Sequence, residues 1–414
     1  MNEPLRVLAI CHEDPAWILG GMGMHCRELY RCMSKRDDVE IDFVTNGPGE
    51  GVEEFAGFRK HQADKLVCYK PRTADLSSFL FSDLQMSRTL MRMIASGQRW
   101  DLVHEHEWTS VQLGRMVRDA LRIPLVGTMH LCITKLAMVE APECMSTIAD
   151  WPEIEFYLRQ QEGNLISDPD ETILCSHAYV RIVRETFLTR RPIHMIHNGI
   201  DAEVWHPFAG DGERAKQAHG LDPDRLLGLY VGRIATMKGI VPLLEAIESN
   251  DTGWQIVIVG TVNANSDEEK EAWEVTQRLR ELEAEHPERI KWIDFKHGQA
   301  LHDLYTAADA VIMPSTHEPF GIVALEAMAS GCPLLSTRVD GLGEIVDDGI
   351  EEYALIVPPN DPRSIVAGLH ELRDPDFRET LARKGLSRIR TFTWEAAADK
   401  TIEVYRQALE QSCP

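Results

Sequence analysis

Residues 310–331 read AVIMPSTHEPFGIVALEAMASG and contain the pattern on which the predicted fold depends. The apolar run Ala310–Met313 predicts a buried strand, and the apolar spacing of Gly321–Ser330 predicts a helix. Glu318 lies in the loop between them, and Glu326 lies within the helix. A strand, a loop and a helix in this order form the repeating unit of a parallel β-sheet that is covered by helices.

The same alternation extends to both sides of this stretch. Segments with helical spacing separate most of the apolar runs, as in proteins whose parallel strands are joined by crossover helices. The pattern predicts an α/β protein with two doubly wound, Rossmann-like parallel sheets. The further predicted strands are 6–11, 39–45, 101–104, 123–130, 171–176, 193–196, 226–231, 254–259, 290–295 and 333–337.

A polar stretch with proline and glycine, residues 206–225, divides this alternation into two halves. Each half has about 200 residues, which matches the usual size of one domain. We therefore predict an N-terminal domain of residues 1–205 and a C-terminal domain that begins at residue 206. A last helix is predicted near the C-terminus, over 394–411.

The composition excludes several classes of protein. The chain has 66 acidic and 43 basic residues among 414, and its net charge of −23 disfavours a nucleic-acid partner. No run of apolar residues is long enough to predict a membrane span, and the N-terminal residues do not resemble a signal peptide. The nine cysteines are scattered without the pair spacing of a metal site, so we expect reduced thiols and a cytoplasmic protein.

A glycine-rich stretch, Gly20-Gly21-Met22-Gly23, lies between the first predicted strand and a helix predicted from Met24. Gly21 and Gly23 would let a ligand approach the backbone closely, and the N-terminus of the following helix would favour a polar or anionic group. A plain turn with a helix cap explains the same glycines equally well. The stretch lacks the G-x-G-x-x-G spacing of a dinucleotide site.

The sequence HEHEW, residues 104–108, comes at the carboxyl end of another predicted strand, where doubly wound sheets bind their ligands. We interpret His106, Glu107 and Trp108 as the lining of a polar cleft. His130 ends the next predicted strand and would lie near the same edge. Alternating His and Glu also suits a metal ion, but the spacing is not H-E-x-x-H and no third ligand can be named, so no metal site is predicted.

Two cations flank a predicted strand-to-helix turn in the sequence VGRIATMKG, residues 231–239. Arg233 follows the strand, and Lys238 precedes Gly239, which opens the helix. Such a pair suits a diphosphate, because it neutralises the charge while backbone N–H groups of the helix N-terminus bind the oxygens. A pair of solvated surface cations is the alternative.

The stretch quoted first has groups that suit a nucleotide sugar. The carboxylate of Glu318 can accept hydrogen bonds from sugar hydroxyls, and that of Glu326 from ribose hydroxyls, as acidic residues do in other nucleotide sites. Phe320, Gly321 and Ile322 start the predicted helix and can present backbone N–H groups to phosphate oxygens. An amphipathic helix with a solvated glutamate is the structural alternative.

In this order, the motifs resemble those of the retaining glycosyltransferases of the GT-B fold, the superfamily that includes glycogen and starch synthases. Glu318 and Glu326 match its E-x7-E signature, and Arg233 and Lys238 match its donor-phosphate pair. The glycine loop, the HEHEW stretch and the sequence HNGIDAEVWHP at 197–207 are most similar to the glycogen/starch synthase branch.

The resemblance implies a fold and a reaction. Two Rossmann-like domains, residues 1–205 and 206–392, would face each other across a cleft, and residues 393–414 would cross back to the N-terminal domain. The enzyme would transfer a glucosyl or related hexosyl unit from ADP-glucose or UDP-glucose with retention of configuration. No cofactor beyond the donor is expected. His130 would lie near the 6-hydroxyl of the transferred sugar.

The acceptor implied by the resemblance is an α-glucan or a sugar phosphate. His106, Glu107 and Trp108 would lie on the acceptor side, and the irregular region 131–165 would select the acceptor. A small molecule, a cell-envelope glycan and a modified nucleobase remain alternative acceptors. A nucleotide-sugar epimerase would share the architecture and need no acceptor, and a non-catalytic sugar-binding protein is a further alternative.

Overall fold

A computed structural model describes residues 3–18, 20–64, 76–135, 152–207, 212–249, 252–261, 269–294, 296 and 298–412. These residues form two compact units. The first contains the described residues up to Asn198 and those from Trp394 onward, and the second contains those from Gly199 to Thr393. The chain therefore leaves the first unit once and returns to it with its last helix.

Residues 199–205 pack with the second unit, although the sequence placed them in the N-terminal domain. The backbone N–H of Ile200 donates to the carbonyl of Phe392 at 3.1 Å, and Ile200 also forms a bridge with Thr393. The ring of Trp205 packs against that of Tyr305, with 5.3 Å between ring centres. These contacts join the segment to the second unit just before the chain leaves it at Thr393.

The first unit is built on an eight-stranded sheet with the order β3-β4-β2-β1-β5-β6-β7-β8. Only the pair β3–β4 is antiparallel. The strand order reverses beside β1, so β1 and β5 flank the point where doubly wound sheets bind ligands. The strands are β1 Leu5–Ile10, β2 Val39–Thr45, β3 Val52–Phe55, β4 Phe58–Gln62, β5 Leu102–His106, β6 Leu125–Met129, β7 Glu171–Leu174 and β8 Ile193–Met195.

The second unit is built on a six-stranded parallel sheet with the order β11-β10-β9-β12-β13-β14. This is the strand order of a Rossmann sheet, and its reversal lies between β9 and β12. The predicted fold class is thereby confirmed. The strands are β9 Leu226–Val231, β10 Trp254–Val259, β11 Ile290–Ile293, β12 Ala310–Met313, β13 Leu334–Ser336 and β14 Leu355–Ile356.

Helices connect the strands and cover the sheets. No helix among the described residues is both long and apolar enough to cross a membrane. The described helices are α1 Gly21–Met33, α2 Leu76–Ala95, α3 Val111–Leu121, α4 Pro152–Ser167, α5 His177–Thr186, α6 Gly212–Ala218, α7 Ile240–Ser249, α8 Glu269–Glu285, α9 Gln299–Ala307, α10 Ile322–Ala329, α11 Asp340–Val346, α12 Pro362–Glu371, α13 Pro375–Arg388 and α14 Trp394–Ser412.

The last helix, α14, belongs to the core of the first unit, as the resemblance implied. Tyr405 of α14 and Tyr30 of α1 are both completely buried in the same apolar cluster. Cys26 and Cys32 of α1 lie in this cluster too. Burial of each large apolar side chain contributes about 1.5–3 kcal/mol, which fixes α14 on the first unit.

Several elements differ from the sequence-based prediction. The hairpin β3–β4 was missed because its strands are short and half of β3 is glutamate, which does not give an apolar run. Helices α11 and α12 were missed because they are short, and α13 was missed because it is rich in charge and buries few apolar side chains. The polar stretch taken as a linker contains α6, in which Lys216 pairs with Asp309 at 3.2 Å.

Candidate active site

The turn after β9 is held against the end of β12 by a glycine. Gly239 follows the single 3-10 turn Thr236–Lys238 and has a φ of +71°. A Cβ atom at this position would lie only 1.9 Å from the carbonyl oxygen of Pro314. Only glycine therefore allows the turn that contains Lys238 to approach the residues after β12 so closely.

Backbone hydrogen bonds connect the same two loops. The carbonyl of Met237 accepts from the backbone N–H of Thr316 at 2.9 Å and from that of His317 at 3.2 Å. The two sequence motifs that were interpreted separately therefore form one structural unit at the carboxyl edge of the second sheet. This is the edge where the strand order reverses and where such sheets bind their ligands.

Lys238 and Glu318 form an ion pair within this unit. The Nζ atom of Lys238 lies 2.5 Å from Oε2 of Glu318. Only 9% of the Glu318 side chain and 20% of the Lys238 side chain are exposed. The pair is thus largely shielded from water, where a charge-assisted hydrogen bond is stronger than at an open surface.

Arg233 lies in the same loop as Lys238, but no described residue forms an ion pair with it. All carboxylates of the described residues lie more than 4.0 Å from its guanidinium. Its Nη2 atom lies 3.8 Å from the Sδ atom of Met237. Its backbone carbonyl accepts from the hydroxyl of Tyr230 at 2.9 Å, which fixes the main chain.

Asp340 holds the loop of Glu318, a role that was not predicted from the sequence. Its Oδ2 atom accepts from the backbone N–H of Glu318 at 3.1 Å and lies 2.6 Å from Nδ1 of His317. Asp340 has a φ of +40°, which is uncommon for a residue other than glycine and often marks functional sites. The Asp-Gly dipeptide shortly after β13, at the same sheet edge, was the signal that could have identified it.

The start of α10 adjoins this loop. Phe320 is buried, and its ring packs against that of Phe392 with 5.9 Å between ring centres. Gly321 has a φ of +108° and is the N-cap of α10, and Ile322 is its first residue. The predicted helix therefore begins where its sequence indicated, and its first backbone N–H groups lie just after the ion-paired Glu318.

Glu326 lies inside α10 and is only 5% exposed. Burial raises the pKa of its carboxyl group to about 7, although the hydroxyl of Tyr305 donates to Oε2 at 3.1 Å and opposes the shift. This carboxyl is therefore not a solvated surface group. The alternative of an amphipathic helix with a solvated glutamate is excluded for Glu326. Its assignment to the ribose stays a prediction.

In the first unit, the glycine-rich stretch is not a loop. Helix α1 begins at Gly21, so Gly21 and Gly23 belong to its first turn, and the predicted start at Met24 is wrong. The reason is local: the carboxylate of Glu13 accepts from the backbone N–H of Gly20 at 2.7 Å. A Cβ on Gly23 would meet this carboxylate at 2.6 Å, so the glycine makes room for Glu13.

His106 and His130 meet at the carboxyl edge of the first sheet, as their positions after neighbouring strands predicted. His106 Nδ1 and His130 Nε2 share a hydrogen bond of 3.1 Å. The sequence did not predict that His25 from α1 joins them, with 4.6 Å between its ring centre and that of His130. Burial is the main cause that lowers the pKa of all three, to about 4 for His25.

Glu107 is buried and connects the ends of β5 and β6. Its Oε2 atom accepts from the backbone N–H groups of His130 and Leu131, each at 3.0 Å. Burial, followed by the nearby carboxylate of Glu162, raises the pKa of Glu107 to about 8. Glu107 also has a φ of +69°, which is an uncommon backbone conformation for a residue other than glycine. Its two hydrogen bonds fix the main chain at His130 and Leu131.

The structure thus assembles the predicted residues in two groups. Lys238 and Glu318 are in contact and Arg233 lies in the same loop as Lys238. His106, Glu107 and His130 form a second group in the first unit. Trp108 begins a short 3-10 turn after Glu107 and is buried. Residues 136–151, which belong to the region predicted to select the acceptor, lie outside the described residues.

Comparisons with known proteins agree with this arrangement. Residues 211–388 match the family Glycosyl transferases group 1, and residues 20–199 match the Glycosyl transferase 4-like domain. A D-inositol 3-phosphate glycosyltransferase from Kribbella flavida is 30% identical over 438 residues, which cover 99% of this chain and 97% of that protein.

Two further similarities extend over nearly the whole chain. An alpha-maltose-1-phosphate synthase from Mycobacterium tuberculosis is 26% identical over 97% of this chain and 99% of that protein. The structure of sucrose-phosphate synthase from Thermosynechococcus elongatus has a TM-score of 0.81 and 25% identity, covering 98% of this chain and 100% of that one. The chain belongs to the group 1 glycosyltransferases of the GT-B fold, which confirms the resemblance to the GT-B glycosyltransferases.

Proposed function

We propose that this glycosyltransferase moves a glucosyl or related hexosyl unit from a nucleoside-diphosphate sugar to a sugar-phosphate or α-glucan acceptor, with retention of configuration. The observation that carries the proposal is the contact of Lys238 with Glu318 at the reversal point of the second sheet. A cation for the diphosphate and a carboxylate for the sugar are there held side by side, and Arg233 lies in the same loop as the cation.

The two cations act on the leaving group. As the bond between the anomeric carbon and the phosphate oxygen breaks, negative charge develops on the departing diphosphate. Lys238 and Arg233 stabilise this charge, and preorganised groups of this kind make a large contribution to catalysis. The N-terminus of α10 adds backbone N–H groups and the positive end of its dipole. The cations supply charge that a divalent metal ion provides in other transferases.

The ion pair also fits the unliganded state. Without donor, Lys238 and Glu318 neutralise each other in a place with little access to water, where a lone charge would be costly. When the donor binds, its diphosphate takes over Lys238, and the carboxylate of Glu318 accepts hydrogen bonds from the sugar hydroxyls. The donor thus replaces one set of charge-assisted hydrogen bonds by another.

The reaction needs no protein nucleophile. The anomeric carbon loses its bond to the donor phosphate and forms a bond to the acceptor oxygen on the same face of the sugar. The acceptor proton passes to the departing phosphate oxygen, so atoms and charge balance. This route retains the configuration. In this route, the predicted contact of His130 with the sugar 6-hydroxyl serves to position the transferred sugar.

Names of similar proteins support a phosphorylated acceptor. The relatives are named as a D-inositol 3-phosphate glycosyltransferase and an alpha-maltose-1-phosphate synthase, and the similar structure as a sucrose-phosphate synthase. All three names contain a phosphorylated sugar or polyol. We therefore place a sugar phosphate before an α-glucan among the acceptors, with ADP-glucose or UDP-glucose as the donor.

A panel of donors and acceptors tests the proposal. ADP-glucose and UDP-glucose are each incubated with glucose 1-phosphate, inositol phosphate, maltooligosaccharides or buffer alone, and release of nucleoside diphosphate is measured. We expect release that depends on the acceptor, and a product whose anomeric proton keeps the donor configuration in NMR spectra. Inversion of the configuration would contradict the retaining mechanism, and conversion of the donor in buffer alone would favour an epimerase.

A further inference from the structure

Glu162 of α4 binds the main chain just after β6. Its Oε1 atom accepts from the backbone N–H of Ile133 at 2.5 Å, and its Oε2 atom accepts from that of Thr134 at 2.8 Å. The described residues 133–135 are helical, and the first N–H groups of a helix have no partner within it. Glu162 thus supplies, from another element, the acceptors that this helical turn lacks.

The neighbouring N–H groups are held in the same way. Glu107 accepts from the first two N–H groups after β6, and the N–H of Cys132 donates to the hydroxyl of Tyr179 at 3.5 Å. Each of the five N–H groups of residues 130–134 therefore donates to a side chain. The three accepting side chains come from the residue after β5, from α4 and from α5. Three separate elements thus fix one short segment of main chain.

This arrangement is costly for the fold. Glu162 is 0% exposed and Glu107 is 7% exposed. Burial raises the pKa of both carboxyl groups, to about 8 for Glu107, and the donated N–H groups oppose the shift. A buried carboxyl group lowers stability unless its hydrogen bonds compensate, and a serine or aspartate just before the helical turn could satisfy one of these N–H groups locally. Two buried carboxyl groups at one segment therefore indicate a role beyond stability.

The segment lies where a role in the reaction is expected. It begins with His130 at the carboxyl edge of the first sheet, which is the edge where doubly wound sheets bind their ligands. It also contains the start of the region 131–165, which was predicted to select the acceptor. Misplacement of an active-site group by about 1 Å can lower turnover about 100-fold, so the position of this main chain matters for the reaction.

We propose that Glu162 is a positioning residue of the transfer reaction, which sets the place of His130 and the start of the acceptor-selecting region through the main chain of residues 130–134. The inference rests on the proposed function, in which His130 positions the transferred sugar. Glu162 was not predicted from the sequence, because the two N–H groups that it binds lie 29 and 28 positions away.

Glu162→Gln tests the hold on the main chain, because it replaces one of the two accepting oxygens by an N–H donor. In hydrogen-exchange mass spectrometry, the backbone N–H groups of residues 130–134 should exchange about tenfold faster or more in the variant than in the unaltered protein. Equal exchange in the two proteins would overturn the proposal. This measurement contains neither donor nor acceptor, so its outcome does not depend on the proposed function.

Glu171→Gln is the matched control. Glu171 is also 0% exposed, but it begins β7 at the opposite edge of the same sheet and binds the side chains of His194 and Gln411. The control should lower the free energy of unfolding without faster exchange at residues 130–134. The same increase in exchange with both variants would show general loosening of the unit and would overturn the proposal.

Steady-state kinetics distinguish positioning from stability. With UDP-glucose or ADP-glucose as donor and glucose 1-phosphate as acceptor, Glu162→Gln should raise KM for glucose 1-phosphate about tenfold or more and lower kcat. Loss of stability alone would reduce the amount of active enzyme and leave KM unchanged, as we expect for Glu171→Gln. The affinity for UDP or ADP should be unchanged in both variants, because Lys238 lies in the second unit.

A second variant keeps the test valid if Glu162→Gln does not fold. Glu162→Asp keeps the charge but shortens the side chain by one methylene group, so it should also speed exchange at residues 130–134 and raise KM. An unchanged KM in a folded Glu162 variant would overturn the proposal. Absence of turnover by the unaltered protein would instead contradict the proposed function, since the exchange measurement would still report the hold on the main chain.

Discussion

The α-carbon of Gly239 approaches the main chain of Pro314 so closely that a single added carbon would lie 1.9 Å from the Pro314 carbonyl oxygen. This contact joins the loop after β9 to the loop after β12. It places Lys238, the residue before Gly239, beside Glu318. The arrangement of the proposed diphosphate site thus depends on Gly239, a residue that has no side chain.

Gly239→Ala should therefore disrupt the site and the fold around it. Since the main chain must shift to relieve the overlap, we expect a loss of about 3 kcal/mol or more in the free energy of unfolding. Turnover should fall with it, because Lys238 moves with the turn. Urea denaturation and an assay of diphosphate release measure the two effects.

Gly349→Ala is the matched control for this substitution. Gly349 also has a positive φ, +83°, but a Cβ there would meet nothing within 4 Å. Only the backbone strain of about 1–2 kcal/mol applies at this position. An equal loss of stability in the two variants would contradict the role that we give to the contact with Pro314.

Lys238→Ala and Glu318→Ala should each lower turnover by about 100-fold or more, because each removes a group that acts on the transition state. The protein should remain folded, as judged by its circular dichroism. Lys216→Ala, which removes another partly buried ion pair of the second unit, is the control and should keep normal turnover. Near-normal turnover in either of the first two variants would refute the assigned roles.

Arg233→Ala should lower the activity of the enzyme without lowering its stability. Because its guanidinium has no carboxylate partner among the described residues, we expect the free energy of unfolding to change by less than about 0.5 kcal/mol. Turnover should fall strongly. Arg278→Ala breaks an ion pair with Glu248 and should leave turnover unchanged. Equal effects of the two substitutions on turnover would exclude a special role for Arg233.

Glu326 should make stability depend on pH. Burial raises the pKa of its carboxyl in the folded protein to about 7, from 4.5 for an ordinary glutamate. Between these pH values the folded protein keeps a proton that the unfolded chain releases, so this group lowers the free energy of unfolding as pH rises from 4.5 to 7. The total effect is on the order of 3 kcal/mol.

Glu326→Gln removes this titration. Relative to the unaltered protein, the variant should gain stability when urea denaturation is measured at pH 8 instead of pH 4.5. The exposed Glu281→Gln controls for the change in net charge. A stability difference between Glu326→Gln and the unaltered protein that is the same at both pH values would show that the carboxyl is not perturbed.

The fold and half of the site could be predicted because their signals are local. Apolar runs predicted the described strands other than β3, β4 and β14. The distances along the chain from Arg233 to Lys238 and from Glu318 to Glu326 indicated the motifs. The contact between Lys238 and Glu318 follows from topology, because β9 and β12 are neighbours at the reversal of the strand order.

The remaining features depend on contacts between distant residues. His25 pairs with Asn198, 173 positions away, and no periodicity of the sequence announces such a contact. The role of Asp340 depends on its contact with the backbone N–H of Glu318, 22 positions away, and the Asp-Gly dipeptide alone does not reveal that contact. Helix α1 was predicted to begin too late because the carboxylate that holds Gly20, the residue before the helix, comes from Glu13, seven positions earlier.

Calorimetric titration of UDP or ADP into the unaltered protein, Lys238→Ala and Lys216→Ala tests whether Lys238 holds the donor diphosphate. We expect one nucleoside diphosphate per chain, bound at least tenfold more weakly by Lys238→Ala, because the ammonium group holds the diphosphate. Lys216→Ala should bind it with unchanged affinity. Equal affinity of Lys238→Ala and the unaltered protein would show that Lys238 does not bind the diphosphate.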